Sequence, residues 1–257
     1  MDPFPPDQPH DQATERAAEV LRGARRVVAL TGAGISTDSG IPDFRGPDGV
    51  WTKDPDAERY STIDHYLSDP DLRVRAWQWR MANPAWTAEP NAGHQALVGL
   101  ERTGRLDLLV TQNIDGLHLA AGSDPQQLVE IHGSMRSARC VRRDWSGPTT
   151  EVLDRVRAGE ADPPCPNCGG ILKTSTVFFG ESLDEDDLVR SFDAAQGCDV
   201  LLCVGTTLQV FPIAQMVPLA LQAGAQVVIV NAGETPFDDQ AIVLRGSISD
   251  VLPSLLT

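Results

Sequence analysis

The apolar run Val27-Val28-Ala29-Leu30 ends directly in Thr31-Gly32-Ala33-Gly34, and this junction constrains the fold more than any other stretch of the chain. A short uncharged run of this kind reads as a buried strand. Two glycines just beyond it let the following turn approach something bulky with no Cβ in the way. The pattern predicts a phosphate cradle at a strand end. The usual dinucleotide fingerprint adds a third small residue and, about 20 positions on, an acidic residue for the ribose hydroxyls. Here Thr37 follows the glycines and the polar stretch Trp51 to Asp56 ends no strand, so a simple dehydrogenase is a poor match. The continuation Gly40-Ile41-Pro42-Asp43-Phe44-Arg45-Gly46 sets an acid, an aromatic ring and a base in a segment too irregular for a helix, suited to closing over a ligand.

The same strand-to-turn pattern recurs downstream. Leu106-Asp107-Leu108-Leu109-Val110-Thr111 ends at the corner Gln112-Asn113-Ile114-Asp115, and Leu128-Val129-Glu130-Ile131 delivers His132 and Gly133. Asx residues at such corners stabilise turns through their own backbone. A histidine at a strand end beside a glycine can present its ring to a cleft and accept a proton near neutral pH. Asp199 to Gly205 and Gln226 to Asn231 are near-continuous apolar runs of the kind buried on both faces, and Thr176 to Phe179 reads as a further strand. Helices are predicted over Thr14 to Arg25 with Thr14 as N-cap, His94 to Arg102, Leu183 to Ala195 and Phe211 to Ala223. His118 reads as structural, and His94 as a residue that caps or packs a helix start. Strands alternating with helices specify an α/β fold with a doubly wound parallel sheet, in which ligands gather at the carboxyl edge of the strands.

Two segments interrupt the alternation. Val50 to Asn91 lacks strand pattern and is broken at Pro55, Pro70, Pro84 and Pro90, which reads as a small helical module. Ser137 to Leu172 clusters Arg, Pro, Gly and three of the five cysteines, which reads as a second insertion held by something other than an apolar core. Residues 1–13, rich in Pro and Asp, form a disordered lead-in on this reading. A formal net charge of −15 makes nucleic acid a poor partner and favours encounter with basic, lysine-rich peptides, the competing reading being acidity that simply keeps the protein soluble. The odd cysteine number and the lack of a secretory leader pattern point to a reducing, cytoplasmic setting, and no membrane segment is expected. The sequence does not fix an oligomeric state.

Gly32-Ala33-Gly34-Ile35-Ser36 with Gly40-Ile41-Pro42-Asp43-Phe44-Arg45, then Thr111-Gln112-Asn113-Ile114-Asp115-Gly116-Leu117-His118, then His132-Gly133, together resemble the sirtuin family of NAD-dependent protein lysine deacylases. The resemblance runs from about Glu15 to the C-terminus. It implies a catalytic domain over residues 14–257, with a Rossmann-like NAD-binding part (14–49, 92–136 and 173–257). A smaller lobe would come from the helical insertion (50–91) and a cysteine-containing, zinc-ribbon-like insertion (137–172). It further implies that the acyl-lysine carbonyl oxygen attacks a ribose carbon of NAD as nicotinamide departs, and that His132 is the general base for a ribose hydroxyl. Asn113 and Asp115, with Ser36, would line the nicotinamide end. Gly32, Ala33, Gly34, Thr37, Asp43 and Gln112 would also bind NAD, with Phe44 and Arg45 shielding the reacting centre. Gly205, Thr206, Thr207 and Asn231 would hold the adenosine side, Thr207 standing where serine is usual, with Ser247 and Ile248 as weaker candidates for the adenine edge. Val177, Phe178, Phe179, Gly180 and Glu181 would receive the acyl-lysine peptide as an added strand.

At the metal the sequence departs from the family. Sirtuins carry two Cys-x-x-Cys pairs that close a tetrahedral zinc. Here Cys165-Pro166-Asn167-Cys168 is intact, whereas the first pair reads Cys140-Val141-Arg142-Arg143. Three thiolates with water, or with a carboxylate such as Asp144, would still hold zinc; the other reading is a lobe that folds without metal. Cys198 and Cys203 read as core. Arg80, in Trp77-Gln78-Trp79-Arg80, resembles the arginine of sirtuins that remove succinyl groups, although Trp77 lacks the phenol that accompanies it there. A solvated arginine on an amphipathic helix is the competing reading. The alternatives in function are an NAD glycohydrolase or mono-ADP-ribosyltransferase on the same fold, and a catalytically silent NAD-binding module.

Overall fold

A computed structural model describes residues 9–43, 49–53 and 58–256; Phe44 and Arg45 lie outside the described residues. The strands are β1 (Val27–Thr31), β2 (Leu106–Thr111), β3 (Leu128–Glu130), β4 (Ser137–Cys140), β5 (Ser146–Pro148), β6 (Leu172–Thr174), β7 (Val200–Val204), β8 (Gln226–Val230) and β9 (Ile242–Leu244). Six of them make one sheet in the order β3-β2-β1-β7-β8-β9. Every pairing within it is parallel. The expected doubly wound sheet is therefore present.

Its two faces follow from the period of two in the apolar runs. Ala29, Leu202 and Val204 point to one side, where Leu21, Leu97, Leu100 and Leu252 cover them. Val28, Leu30, Leu201 and Cys203 point to the other, under Ala195, Ile213, Met216 and Val217. Each aliphatic side chain buried in this way contributes about 1.5–3 kcal/mol, so the centre of the sheet is a firm base for the turns at its edge. Cys198 and Cys203 belong to the second face, as expected, and burial pushes both thiols to higher pKa, Cys198 to about 11.

From β1 the chain winds outward through β2 to β3, and from β7 in the opposite sense through β8 to β9. The direction of winding changes between β1 and β7, and the crevice at their carboxyl ends is where a doubly wound sheet accepts a ligand. Gly32 and Gly34 leave β1 at that point and Gly205 leaves β7. The two turns touch: Gly34 N–H donates to the Gly205 carbonyl at 2.8 Å. A Cβ on Gly205 would sit 2.4 Å from Ile35 N, so this contact requires glycine.

The remaining strands form an antiparallel sheet, β5-β4-β6. Contrary to the expectation of a lobe without a core, Ala138, Val152, Leu153 and Leu172 bury around Trp77 of the first insertion. Helix Thr149–Arg157 supplies Val152 and Leu153 because its apolar positions recur at helical spacing. Helices Ile63–Ser68 and Pro70–Met81 add a neighbouring cluster of Tyr66, Leu72, Ala76 and Phe178.

Local expectations needed three further corrections. The first helix runs Pro9–Gly23, so Thr14 lies inside it and residues 9 to 13 are helical; proline is tolerated in a first helical turn. Thr176 to Phe179 joins no ladder, and Phe179 makes only an isolated bridge with Thr62, while the strand falls earlier, at β6. The helix expected from Phe211 begins at Met216, after a cis Phe211-Pro212 bond and a short turn of 3-10 helix. Helix Glu185–Gly197 forms with the Asp184 side chain accepting from Asp187 N–H at 3.1 Å. Among the described residues no helix is long and apolar enough to cross a membrane.

Candidate active site

Two adjoining cavities open at the carboxyl edge of the sheet. The larger, of about 720 Å³, is lined by Gly32, Ala33, Gly34, Thr37 and Asp43 after β1, Gln112 and Asn113 after β2, and His132 after β3. Gly205, Thr206, Thr207, Asn231 and Ile248 line its other side, with Val177 and Phe179 at its rim and Ser247 also present. The smaller, of about 370 Å³, is lined by Ser36, Asn113, Asp115, Ile41, Trp79, Arg80 and Trp86. Ala33, Ser61, Asn113, Ile114 and Thr176 line both.

His132 is fixed from two sides. Its Nδ1 lies 2.9 Å from the Gln112 carbonyl oxygen. A carbonyl only accepts, so Nδ1 carries the proton and the neutral ring keeps its lone pair on Nε2. Its own carbonyl accepts from Val177 N–H at 2.8 Å, tying the main chain of His132 to the rim segment. Gly133 has φ +70°, and a Cβ there would meet Ser175 O at 2.1 Å, so no other residue can follow the histidine in this turn. Burial lowers the His132 pKa below its ordinary value, outweighing the opposing pull of the Gln112 carbonyl. At neutral pH the ring is an unprotonated base.

Asn113, Asp115 and Ser36 interlock. Ser36 Oγ donates to Asp115 Oδ2 at 2.8 Å, while Asn113 Nδ2 donates to Ser36 Oγ and to the Gly32 carbonyl, both at 3.1 Å. The Leu117 N–H donates to Asp115 Oδ1 at 2.9 Å. All three side chains are at least nine-tenths buried. A carboxylate and an amide locked in this way form a polar wall for a cationic or amide-bearing group in an otherwise apolar cavity.

Sequence reasoning missed the outer supports of this wall. Arg136 lies over the Trp86 ring and donates to the Asp115 carbonyl at 2.9 Å and the Ala85 carbonyl at 2.8 Å. Asn91 Nδ2 donates to the Ile35 carbonyl at 2.7 Å while its Oδ1 caps helix Ala92–Arg102, with His94 completing the capping box. His118 bonds Thr31 Oγ1 at 3.0 Å, and burial drives His94 to about 4 and His118 to about 3, so both are neutral structural groups as expected. On the far side, Arg245 donates to the Asn231 carbonyl at 2.9 Å and pairs with Asp238, which in turn accepts from Thr235. Glu130 is pushed up to about 7 by burial first and by Asp115 second. Its position two residues before His132 was the available signal.

Some expected contacts fall elsewhere. Phe178 is core, edge-on to Tyr66 with ring centroids 5.3 Å apart, and lines neither cavity. Its side chain is therefore a packing group, while its N–H donates to Glu181 Oε2 at 2.8 Å and its carbonyl accepts from Glu181 N–H at 2.9 Å. Gly180, at φ +92°, makes the turn after it. Glu181 turns away to Lys173 Nζ at 2.8 Å and Arg139 at 2.7 Å. Arg80 does line the smaller cavity, but it is buried rather than solvated. Its guanidinium lies over Tyr66, Trp77 and Phe178, Nη2 donates to the Tyr60 carbonyl at 3.1 Å, and Nη1 is buried with no partner among the described residues.

Away from both cavities, Cys140, Cys165 and Cys168 bring three sulfurs within 4.8 Å of one another, and Asp144 does not join them. The cluster is compatible with a structural zinc site.

The Sir2 family model matches residues 32–212 of the chain. Over 92% of its length, and 98% of the relative's, the chain is 47% identical to NAD-dependent protein deacetylase 2 of Streptomyces coelicolor. Identity to the NAD-dependent protein deacylase of Thermococcus kodakarensis is 41%, over 93% of each chain. Among solved structures, one from a study of the mechanism and regulation of Sir2 enzymes superposes with a TM-score of 0.86 at 36% identity, covering 96% of this chain and 97% of that one. A Sir2 structure bound to a propionylated peptide gives 0.82 at 31% identity, covering 93% and 95%.

Proposed function

The chain belongs to the Sir2 family, and we propose that it works as an NAD-dependent protein-lysine deacylase with His132 as its general base. NAD is the cosubstrate: the acyl group of an acyl-lysine peptide passes to ADP-ribose, nicotinamide is released and the lysine is freed. The observation that carries the role of His132 is its Nδ1–H bond to the Gln112 carbonyl, which leaves Nε2 as the basic nitrogen on the wall of the larger cavity.

In this reading Asn113, Asp115 and Ser36 receive the nicotinamide end and its ribose, and Nε2 of His132 takes the proton of a ribose hydroxyl. Gly32, Ala33, Gly34 and Thr37 lie along the phosphates and ribose, with Asp43 and Gln112 beside them. Gly205, Thr206, Thr207, Asn231 and Ile248 hold the adenosine side. The apolar walls exclude water from the reacting centre; Phe44 and Arg45, assigned to shielding it, lie outside the described residues. The backbone of Val177 to Glu181 receives the peptide as an extended strand, recognising it with little regard to side chains. Arg80 would meet the far end of the acyl group in the smaller cavity.

We assign residues 14–49, 92–136 and 173–257 to the NAD-binding part, and 50–91 with 137–172 to the smaller lobe. A cytoplasmic location is supported by five free cysteines, and the net charge of −15 supports basic peptides rather than nucleic acid as partners.

The test is nicotinamide release from NAD with and without an acetyl-lysine peptide. Release that needs the peptide and matches the deacylated peptide formed is expected. Release at the same rate without peptide would make the protein a glycohydrolase instead.

A further inference from the structure

The three-cysteine cluster has the dimensions of a zinc site and lacks its fourth corner. Tetrahedral zinc with bonds of about 2.3 Å to sulfur sets neighbouring sulfurs about 3.8 Å apart. Cys140 Sγ and Cys168 Sγ are 3.6 Å apart. The Arg142 N–H points at Cys140 Sγ at 3.4 Å, a donor suited to a thiolate. Gly170 keeps the space open, since a Cβ there would lie 3.2 Å from Cys168 Sγ and 3.3 Å from Cys140 Sγ. The donors and their spacing fit zinc.

No fourth histidine, cysteine or carboxylate joins the group among the described residues. Arg143, where the first Cys-x-x-Cys pair would end, cannot ligate a metal and is exposed on the same turn as Arg142. Cys140 and Cys165 are buried whereas Cys168 is exposed, so the cluster opens to solvent on the Cys168 side. Three thiolates on a divalent zinc leave a net charge of −1, Arg142 and Arg143 follow Cys140 by two and three residues, and a thiolate-rich set favours a fourth ligand that is itself soft.

We propose that this site binds zinc through Cys140, Cys165 and Cys168 alone and takes its fourth ligand from solution, as the thiolate of a small thiol. On binding, the thiol S–H bond breaks, its proton passes to buffer, a zinc–sulfur bond forms and the water that held the position leaves. Structural zinc sites close with four protein ligands, whereas sites with three keep an exchangeable position.

The full-length protein, prepared in a thiol-free reductant and loaded with cobalt(II), tests this by absorption spectroscopy during titration with 2-mercaptoethanol. The parent is expected to bind one cobalt per chain, with a sulfur-to-metal band that grows by about one third as three thiolates become four. Arg143→Cys is expected to show the larger band from the start and no response to thiol. A parent spectrum that thiol does not move, or a parent that binds no cobalt, overturns the proposal. Should Arg143→Cys not fold, the parent titration still decides. None of these readouts uses turnover, so their failure is distinct from a failure of the deacylase reading.

Discussion

His132 Nδ1 and the main-chain carbonyl of Gln112 lie 2.9 Å apart, and the side chain of the same Gln112 donates to Thr206 Oγ1 at 2.8 Å. One residue thus sets the tautomer of the base and ties it to the turn after β7. The base and the two glycine turns are held in one frame.

The pH profile follows from the burial of that ring. Because burial lowers its pKa, His132 remains unprotonated below the ordinary imidazole value of 6.5. The acid limb of kcat/KM, which reports the free enzyme, is expected to fall below pH 6.5 and the plateau to include it. A limb centred above 6.5 would contradict this environment for the ring.

Ser36 bridges Asp115 and Asn113, so Ser36→Ala leaves both with an unmet hydrogen bond. Losing a bond to a charged group costs about 1–3 kcal/mol. A fall in kcat/KM for NAD of about tenfold to a hundredfold is expected, with Ser36→Thr retaining more activity. Steady-state kinetics on the two variants checks this.

Arg245 touches Asn231 only through its backbone carbonyl, and its role is to position the turn that carries Asn231. Arg245→Met is expected to raise KM for NAD about fivefold to thirtyfold and to leave kcat near the parent's, since about 1–2 kcal/mol of orientation is lost at the adenosine end. A fall in kcat at unchanged KM would remove this role.

On the wall of the smaller cavity Arg80 carries a buried Nη1 that has no partner among the described residues. If that nitrogen reads an acyl carboxylate, the parent turns over a succinyl-lysine peptide, and Arg80→Met loses it at least tenfold more than acetyl-lysine turnover, the scale of one charge-assisted bond of about 1.5–3 kcal/mol. A parent with no succinyl turnover makes the residue purely structural.

The sheet and its edge were legible because apolar runs end abruptly in Gly32, Asn113, His132 and Gly205, a local pattern that needs no knowledge of pairing. The supports were not legible. Arg245 reaches Asn231 across 14 residues, and Arg136 reaches Asp115 across 21, in segments with no periodic signal. The surroundings of Phe178 and Trp77 were hidden for a related reason: an aromatic residue beside a motif looks the same in sequence whether it faces a ligand or a core. Here Tyr66 and Leu172, brought from other segments, decide that both are core. The cysteine triplet was legible in its spacing, while the openness of its fourth corner needed the positions of Cys168 and Arg143.

The most direct test of the account compares the parent with His132→Ala in formation of deacylated peptide, alongside NAD binding by calorimetry. Loss of a positioned general base is expected to slow deacylation by about a hundredfold to ten-thousandfold while NAD still binds within a few-fold of the parent. Deacylation at the parental rate in His132→Ala would contradict the claim that this ring is the base.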